Sequence, residues 1–287
     1  MCSFSYDALV RTVSRLRAEA PFLRVEVFGR SVCGRGLFAL RFGEASGGAL
    51  VFAMLDASKQ TAGQALLDWA EHVCTCLNAD EPLCGVDLSR VFRQSSLTLV
   101  PCMNPDGLEI SRNGAKGAGS LGRFVRQIYS ADERWQANAA GVELTRQFPY
   151  QLALLQQTQA LSERQAPGAA GFFGAFALTE PEVRALVQLC RRERFSRALL
   201  LEMGTPLLQV FPAGESAADR ETVLSAKMLS ASALVPFILP SPQESAGTFA
   251  PWFAHTQQKN AFTFSAEDDL AVFARRLEEL LVLFAVM

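Results

Sequence analysis

The stretch WQANAAGVELTRQFP, residues 135–149, carries the strongest indication of the fold. It closes a segment from Asn104 to Phe148 that is rich in glycine, arginine and asparagine and has little apolar periodicity. Such a composition predicts ordered loop structure, and loops of that kind often carry binding and catalytic residues. We therefore expect functional residues in this segment first.

Apolar spacing on both sides of this segment predicts alternating strands and helices. Thr179, followed by Pro181 and Glu182, has the pattern of a capping box at a helix start. Early strands joined by short turns predict a mixed rather than wholly parallel sheet, in one α/β domain over residues 1–287. The predicted helices lie at 4–19, 60–77, 178–195 and 267–284, and the strands at 22–29, 36–43, 48–55, 96–101, 197–204, 207–211 and 260–266.

Composition excludes several classes of function. The formal net charge of −2 gives no overall positive field to attract nucleic acid. Seven cysteines without a paired spacing favour a reducing compartment, and the charged amino-terminal helix lacks a signal peptide's apolar run, so we expect a cytoplasmic protein. The late apolar run at 280–287 is too short to span a membrane.

Three segments resemble, in order, signatures of the zinc carboxypeptidase family. GRSVCGRGLFAL at 29–40 is similar to the family's G-x-S-x-x-G-R, and LVPCMNPDGLE at 99–109 to its V-P-x-x-N-P-D-G. Residues 135–149 are similar to W-x-x-N-x-R-G-V-D-L-N-R-N-F-P. The resemblance covers nearly the whole chain and implies a mixed, roughly eight-stranded sheet with helices on both faces. Bacterial peptidases that cut γ-glutamyl to diamino-acid bonds in peptidoglycan peptides are the branch it resembles most.

The same resemblance implies a zinc ion held by H-x-x-E and a later histidine, with a glutamate as general base. In the segment 51–69, Asp56 stands in place of the first histidine and Lys59 in place of the glutamate. A gap-free register puts Leu201 at the third ligand and Ser265 at the general base. An ammonium repels a dication and leucine has no donor atom, so we expect neither bound zinc nor a catalytic residue.

Two alternatives stay open at this site. A shift of one residue places Glu202 at the third ligand, where with Asp56 it forms an oxygen-rich site for a harder metal, although Lys59 opposes it. Alternatively, Lys59 pairs with one of these carboxylates and replaces the ion electrostatically. The two histidines, His72 on a helix and His255 in an expected loop, are interpreted as surface residues.

Substrate contacts are the last expectation from the sequence. Arg146 and Thr145 occupy the family's N-R positions, and the planar guanidinium of arginine suits a carboxylate. The leading hypothesis is a catalytically inactive carboxypeptidase-like protein that binds peptide or muropeptide termini. The alternatives are an active metallocarboxypeptidase or peptidoglycan-peptide hydrolase with a rearranged metal site, and a scaffold or regulator of an active paralogue. No G-x-S-x-G surrounds Ser265, which argues against serine chemistry, and the sequence predicts no particular oligomeric state.

Overall fold

The computed structural model describes residues 4–129, 133–161, 164–213, 219–241 and 245–287. Its eight strands are β1 (Arg24–Arg30), β2 (Gly36–Phe42), β3 (Ala49–Ala53), β4 (Leu97–Val100), β5 (Arg197–Met203), β6 (Leu207–Phe211), β7 (Phe237–Ile238) and β8 (Ala261–Ala266). The described helices are α1 (Tyr6–Glu19), α2 (Gln60–Ala79), α3 (Leu88–Gln94), α4 (Pro105–Asn113), α5 (Gly122–Ile128), α6 (Leu152–Leu161), α7 (Pro181–Glu193), α8 (Arg220–Ala233), α9 (Phe249–Gln257) and α10 (Leu270–Val286). Short 3₁₀ segments lie at Gly114–Leu121 and Leu144–Arg146.

All eight strands form one mixed sheet in the order β1-β2-β4-β3-β5-β8-β6-β7. Its centre is parallel, since β3 pairs in parallel with β4 and β5, and β5 pairs in parallel with β8. The β1–β2, β2–β4 and β6–β8 pairs are antiparallel. The predicted mixed α/β sheet with about eight strands is confirmed.

Helices cover both faces of the sheet, so the central strands are buried on both sides. The five residues of β3 are all buried. One core lies beneath α1, α2 and α10 and contains Leu199 and Leu201 of β5, whereas the core on the other face lies beneath α7 and α9 and contains Ala198 and Leu200. No helix in the described ranges is long and apolar enough to cross a membrane.

The segment 104–148 holds more regular structure than its sequence indicates, because α4, a 3₁₀ turn and α5 fill 105–128. Asn104 caps α4 by accepting a hydrogen bond from the Gly107 amide (2.9 Å). The capping box predicted at Thr179 is wrong. Glu180 is the N-cap residue of α7 and its side chain makes no capping bond, while the Thr179 hydroxyl donates to Gln147 Oε1 (3.0 Å).

Candidate functional site

The residues at the family ligand positions gather at the carboxyl ends of the parallel strands. Asp56 and Lys59 follow β3, and Glu202 lies at the end of β5. Ser265 of β8 is the register partner of Glu202. Ligands of open α/β sheets bind outside the carboxyl ends of strands, so this edge is the candidate site.

Asp56 is a buried carboxylate with only 7% of its surface exposed. Its Oδ1 accepts a hydrogen bond from the Ser58 amide (2.8 Å). Burial raises the pKa of Asp56 above its ordinary value, while the hydrogen bonds from Ser58 and the positive charge of Lys59 oppose that rise. The negative charge of Glu143 raises the pKa further, so the two carboxylates are near enough to repel each other.

Lys59 reaches across the site to the neighbouring strand. Its Nζ donates a hydrogen bond to the Met203 carbonyl oxygen at the end of β5 (2.8 Å). Lys59 is also the N-cap residue of α2, where the helix dipole disfavours a positive charge. The nearby carboxylates offset this unfavourable interaction with the helix dipole, since the charge of Lys59 lowers the pKa of both Asp56 and Glu202. The ammonium therefore lies among acidic groups.

Glu202 is the third carboxylate of this cluster. Burial raises its pKa to about 8, the negative charges of Asp56 and Glu143 add to the rise, and Lys59 opposes it. A large fraction of Glu202 is therefore protonated at neutral pH, and the cluster avoids collecting three full negative charges.

The structure brings Glu202, and not Leu201, into the cluster. Leu201 is completely buried in the core with Leu199, because alternate residues of a strand point to opposite faces of the sheet. Leu201, the position given by the gap-free register, therefore does not face the acidic cluster. Glu202, the substitute reached by a one-residue shift, has the charge contact with Asp56.

The hydroxyl of Ser265, the residue at the general-base position, is hydrogen-bonded to the backbone. Its Oγ donates to the Thr205 carbonyl oxygen (2.6 Å).

Neither histidine belongs to this cluster. His72 pairs with Glu278 on α10 (3.0 Å), and His255 lies on α9, not in the expected loop, with its ring 5.8 Å from that of Tyr150.

Thr145 and Arg146 lie on the 3₁₀ turn that follows Glu143. The Thr145 hydroxyl donates to Glu143 Oε1 (2.6 Å), so Thr145 holds an acidic residue of the cluster. The Arg146 guanidinium lies over the ring of Phe173, 5.4 Å from its centroid. Arg146 Nη1 donates a long hydrogen bond to the Ala246 carbonyl oxygen (3.4 Å). None of the ion pairs between described residues includes Arg146.

The matched signature residues chiefly build the frame of the site. Asp106 is fully buried and accepts hydrogen bonds from Arg35 Nη1 (2.6 Å), the Ser31 hydroxyl (2.8 Å) and the Cys33 amide (2.7 Å). Gly107 is required by close packing, since a Cβ there would lie 2.5 Å from the Cβ of Ala57, the neighbour of Asp56. These contacts fix the chain that follows β3.

Comparison with known proteins assigns the family. The sequence profile of the zinc carboxypeptidase family matches residues 9–235. The chain belongs to the zinc carboxypeptidase family. The uncharacterized protein YqgT of Bacillus subtilis (strain 168) is 31% identical over 204 residues, which cover 68% of this chain and 53% of that protein. Gamma-D-glutamyl-L-diamino acid endopeptidase 1 of Lysinibacillus sphaericus is 24% identical over 200 residues, covering 69% and 50%. The chain thus matches about half the length of these two relatives.

Solved structures of a carboxypeptidase A and of a murein-tripeptide amidase share the fold. Carboxypeptidase A from Helicoverpa armigera has a TM-score of 0.70 at 15% identity, with 98% of this chain and 73% of that chain covered. Murein-tripeptide amidase MpaA from Escherichia coli O157 has a TM-score of 0.55 at 17% identity, with 92% of each chain covered. At such identities the likeness concerns the fold alone.

The donor set of this carboxypeptidase-family site does not fit a zinc ion. Catalytic zinc takes three nitrogen, sulfur or carboxylate ligands and keeps one position open. Asp56 and Glu202 supply oxygen, but a cationic ammonium from Lys59 stands at the remaining position. Among the described residues, no group of three or more His, Cys, Asp or Glu is arranged to hold a metal ion.

Two residues of the site escaped the sequence analysis. Glu143, at the aspartate of the family's G-V-D-L-N, joins the acidic cluster and accepts the Gly171 amide (2.9 Å). Gln147 stands where the family has asparagine and is fully buried. Its Nε2 donates to the carbonyl oxygens of Phe173 and Phe176, and its Oε1 accepts the Thr179 amide (3.0 Å). Glu143 and Gln147 both lie in the family signature at 135–149. That location is the feature of the sequence that could have identified them as site residues.

Proposed function

We propose that this carboxypeptidase-family protein binds peptide termini without hydrolysing them. The observation that carries the proposal is the position of the Lys59 ammonium. It donates to the Met203 carbonyl oxygen at the carboxyl ends of the parallel strands, where the family ligand positions lie. A dication about 4 Å from an ammonium is repelled by roughly 8 kcal/mol at an effective dielectric near 20. Zinc-activated water is therefore not available to this site.

The position of the general base supports the same proposal. Ser265 stands there, and its hydroxyl is bonded to the Thr205 carbonyl oxygen. A serine hydroxyl cannot take a proton from water at neutral pH, and loss of a general base costs roughly 10²- to 10⁴-fold in rate. Both parts of the hydrolytic apparatus are thus replaced.

Arg146 is the group proposed to bind the ligand. Its guanidinium has five donors in a planar fork, of which the described contacts use only a long bond to Ala246. Such a fork suits a terminal carboxylate. One relative is a gamma-D-glutamyl-L-diamino acid endopeptidase. Muropeptide termini are therefore one ligand class to test, and ordinary peptide C-termini are the other.

A binding and hydrolysis experiment tests this proposal. Calorimetry compares a short peptide with its C-terminal amide, on the unmodified protein, Arg146→Ala and the exposed-arginine control Arg191→Ala. We expect binding of the free acid that Arg146→Ala weakens at least tenfold and Arg191→Ala leaves unchanged. Chromatography of the incubated peptide should give no product. Equal affinity for acid and amide, or no effect of Arg146→Ala, contradicts the proposed binding, and release of a terminal residue contradicts inactivity.

A second candidate is a hydrolase that uses a harder metal. It is favoured by the charge contact between Asp56 and Glu202, since carboxylate oxygens suit such ions. Chelator-sensitive release of a C-terminal residue by the unmodified protein would support it. The charge of Lys59 opposes it, so Lys59→Met should then raise the metal affinity.

We also propose a reducing, cytoplasmic location. The cysteines in the described ranges, namely Cys33, Cys74, Cys76, Cys84, Cys102 and Cys190, are all free, and Cys2 lies outside those ranges. Free thiols persist in compartments kept reduced by cellular thiols. Fractionation of the native cells tests the location.

A further inference from the structure

A cavity of about 460 Å³ lies at the amino ends of the parallel strands, across the sheet from Asp56 and Glu202. The strand register fixes this position. Phe42, which lines the cavity, pairs with Leu97 at the start of β4, and Leu97 pairs with Ala49 at the start of β3. Asp56 follows the other end of β3, so the cavity is separate from the candidate site.

The walls of this cavity are mainly apolar. Phe42 and Phe92 stack with their ring centroids 5.3 Å apart and an angle of 19° between the rings. Leu77 of α2 and Phe22, in the turn between α1 and β1, complete the apolar lining. Phe22 is 39% exposed, and covering it would remove apolar surface from water. Small-molecule pockets typically span about 300 to 1,000 Å³, so the cavity is large enough for a small organic molecule.

Backbone contacts hold the cavity walls in place. Gly43 lets the end of β2 approach α3, because a Cβ at this position would clash with the Ser95 carbonyl oxygen. Its φ of +77° also favours glycine. The Leu23 amide donates to the Ala20 carbonyl oxygen (2.9 Å), which closes the turn that carries Phe22. The cavity therefore exists before any ligand binds, which reduces the entropy cost of binding.

One positive charge that lines the cavity has no partner. Arg93, in the last turn of α3, belongs to none of the ion pairs or side-chain hydrogen bonds between described residues. Ser89 lies one turn earlier on the same side of α3, and its hydroxyl is likewise unbonded among the described residues. Glu44, the other charged lining residue, is already paired with Arg24 (3.2 Å). The cavity thus presents one uncompensated guanidinium, which suits a carboxylate, beside an apolar surface.

We infer that this cavity binds a small carboxylate with an apolar ring body, whose carboxylate pairs with Arg93 and whose body contacts Phe22 and Phe92. A neutral apolar molecule would leave Arg93 unpaired, and a carboxylate without an apolar body would leave Phe22 in water. The ligand class therefore needs both groups. The inference does not rest on the proposed function, since neither Arg146 nor any residue at the family ligand positions lines this cavity.

Calorimetry with naphthylacetate, the neutral naphthylacetamide and acetate tests the inference. We expect naphthylacetate to bind, the amide to bind about tenfold more weakly because it lacks the charge, and acetate to give no measurable binding. Arg93→Gln should weaken naphthylacetate to the affinity of the amide. Phe22→Ser should weaken both naphthyl probes by about fivefold, because it removes apolar contact that they share. Arg90→Gln, at an exposed arginine of α3 that does not line the cavity, is the matched control and should change nothing.

Four results would overturn the inference. The first is no binding of naphthylacetate, and the second is equal affinity for naphthylacetate and its amide, which would show that the carboxylate is not recognised. The third is equal affinity for acetate and naphthylacetate, which would show that the apolar walls contribute nothing. The fourth is unchanged binding of naphthylacetate by both Arg93→Gln and Phe22→Ser, because the probe would then occupy another site. None of these results bears on peptide binding by Arg146, which is measured with different ligands and a different variant.

Discussion

The Nζ atom of Lys59 lies 2.8 Å from the carbonyl oxygen of Met203, the residue that follows Glu202 at the end of β5. This bond links the turn after β3 to the neighbouring strand at the edge that carries Asp56 and Glu202. It also places a positive charge where it lowers the pKa of both Asp56 and Glu202. Lys59 thus links the turn after β3 to the end of β5.

Replacing Lys59 by methionine should destabilise the protein. The change leaves the Met203 carbonyl without this donor and removes the cation that faces Asp56 and Glu202. We expect a loss of about 1 to 3 kcal/mol in the free energy of unfolding, measured by urea titration. Lys227→Met, at an exposed position on α8, is the control and should have little effect. Equal stability of Lys59→Met and the unmodified protein would show that the lysine has no structural role.

Restoring the family ligands should restore zinc binding, and the correct strand register decides which positions are needed. We expect the triple variant Asp56→His, Lys59→Glu, Glu202→His to bind one zinc per chain, measured by elemental analysis after dialysis. The matched variant with Leu201→His in place of Glu202→His should not, because the side chain at 201 points into the core. Zinc binding by the second variant alone would favour the gap-free register instead.

Ionisation of Glu182 should make stability depend on pH. Burial raises its pKa from 4.5 to about 7 in the folded protein. The folded state therefore holds this proton more tightly than the unfolded state does, and stability falls as pH rises from about 4.5 to about 7. The loss is of order 1 to 3 kcal/mol. Urea unfolding at about pH 5 and pH 7.5 should show a smaller difference for Glu182→Gln than for Glu221→Gln, an exposed control. The same difference in both variants would rule out Glu182 as the source.

The buried ion pair of the first signature should be costly to break. Arg35→Met leaves Asp106, whose side chain is fully buried, without its cation, and we expect a loss of order 3 kcal/mol by urea unfolding. Arg24→Met breaks an exposed pair with Glu44 and should cost no more than about 0.5 kcal/mol. Similar losses in both variants would contradict the structural role assigned to Asp106.

Much of the fold could be predicted from the sequence, because the motif order and the apolar periodicity both reflect local requirements. Asn104 and Gly107, for example, form the N-terminal cap bond of α4 within their own turn, whereas Asp106 is bound by Arg35, Ser31 and Cys33 from a distant part of the chain. The placement of Leu201 could not be predicted, since the face on which a strand residue lies depends on the neighbouring strands. The sequence around Thr179 has the pattern of a helix start, yet the Thr179 hydroxyl donates a hydrogen bond to Oε1 of the distant Gln147. The contact of Arg146 with Phe173 likewise joins segments whose meeting no local pattern encodes.

The most direct test of the central claim is the zinc content of the purified, unmodified protein after dialysis against excess zinc and then against zinc-free buffer. We expect far less than one zinc per chain, because the Lys59 ammonium stands among the ligand positions and only two carboxylates replace the three ligands. One zinc per chain, with an anomalous-scattering peak between Asp56 and Glu202, would contradict it.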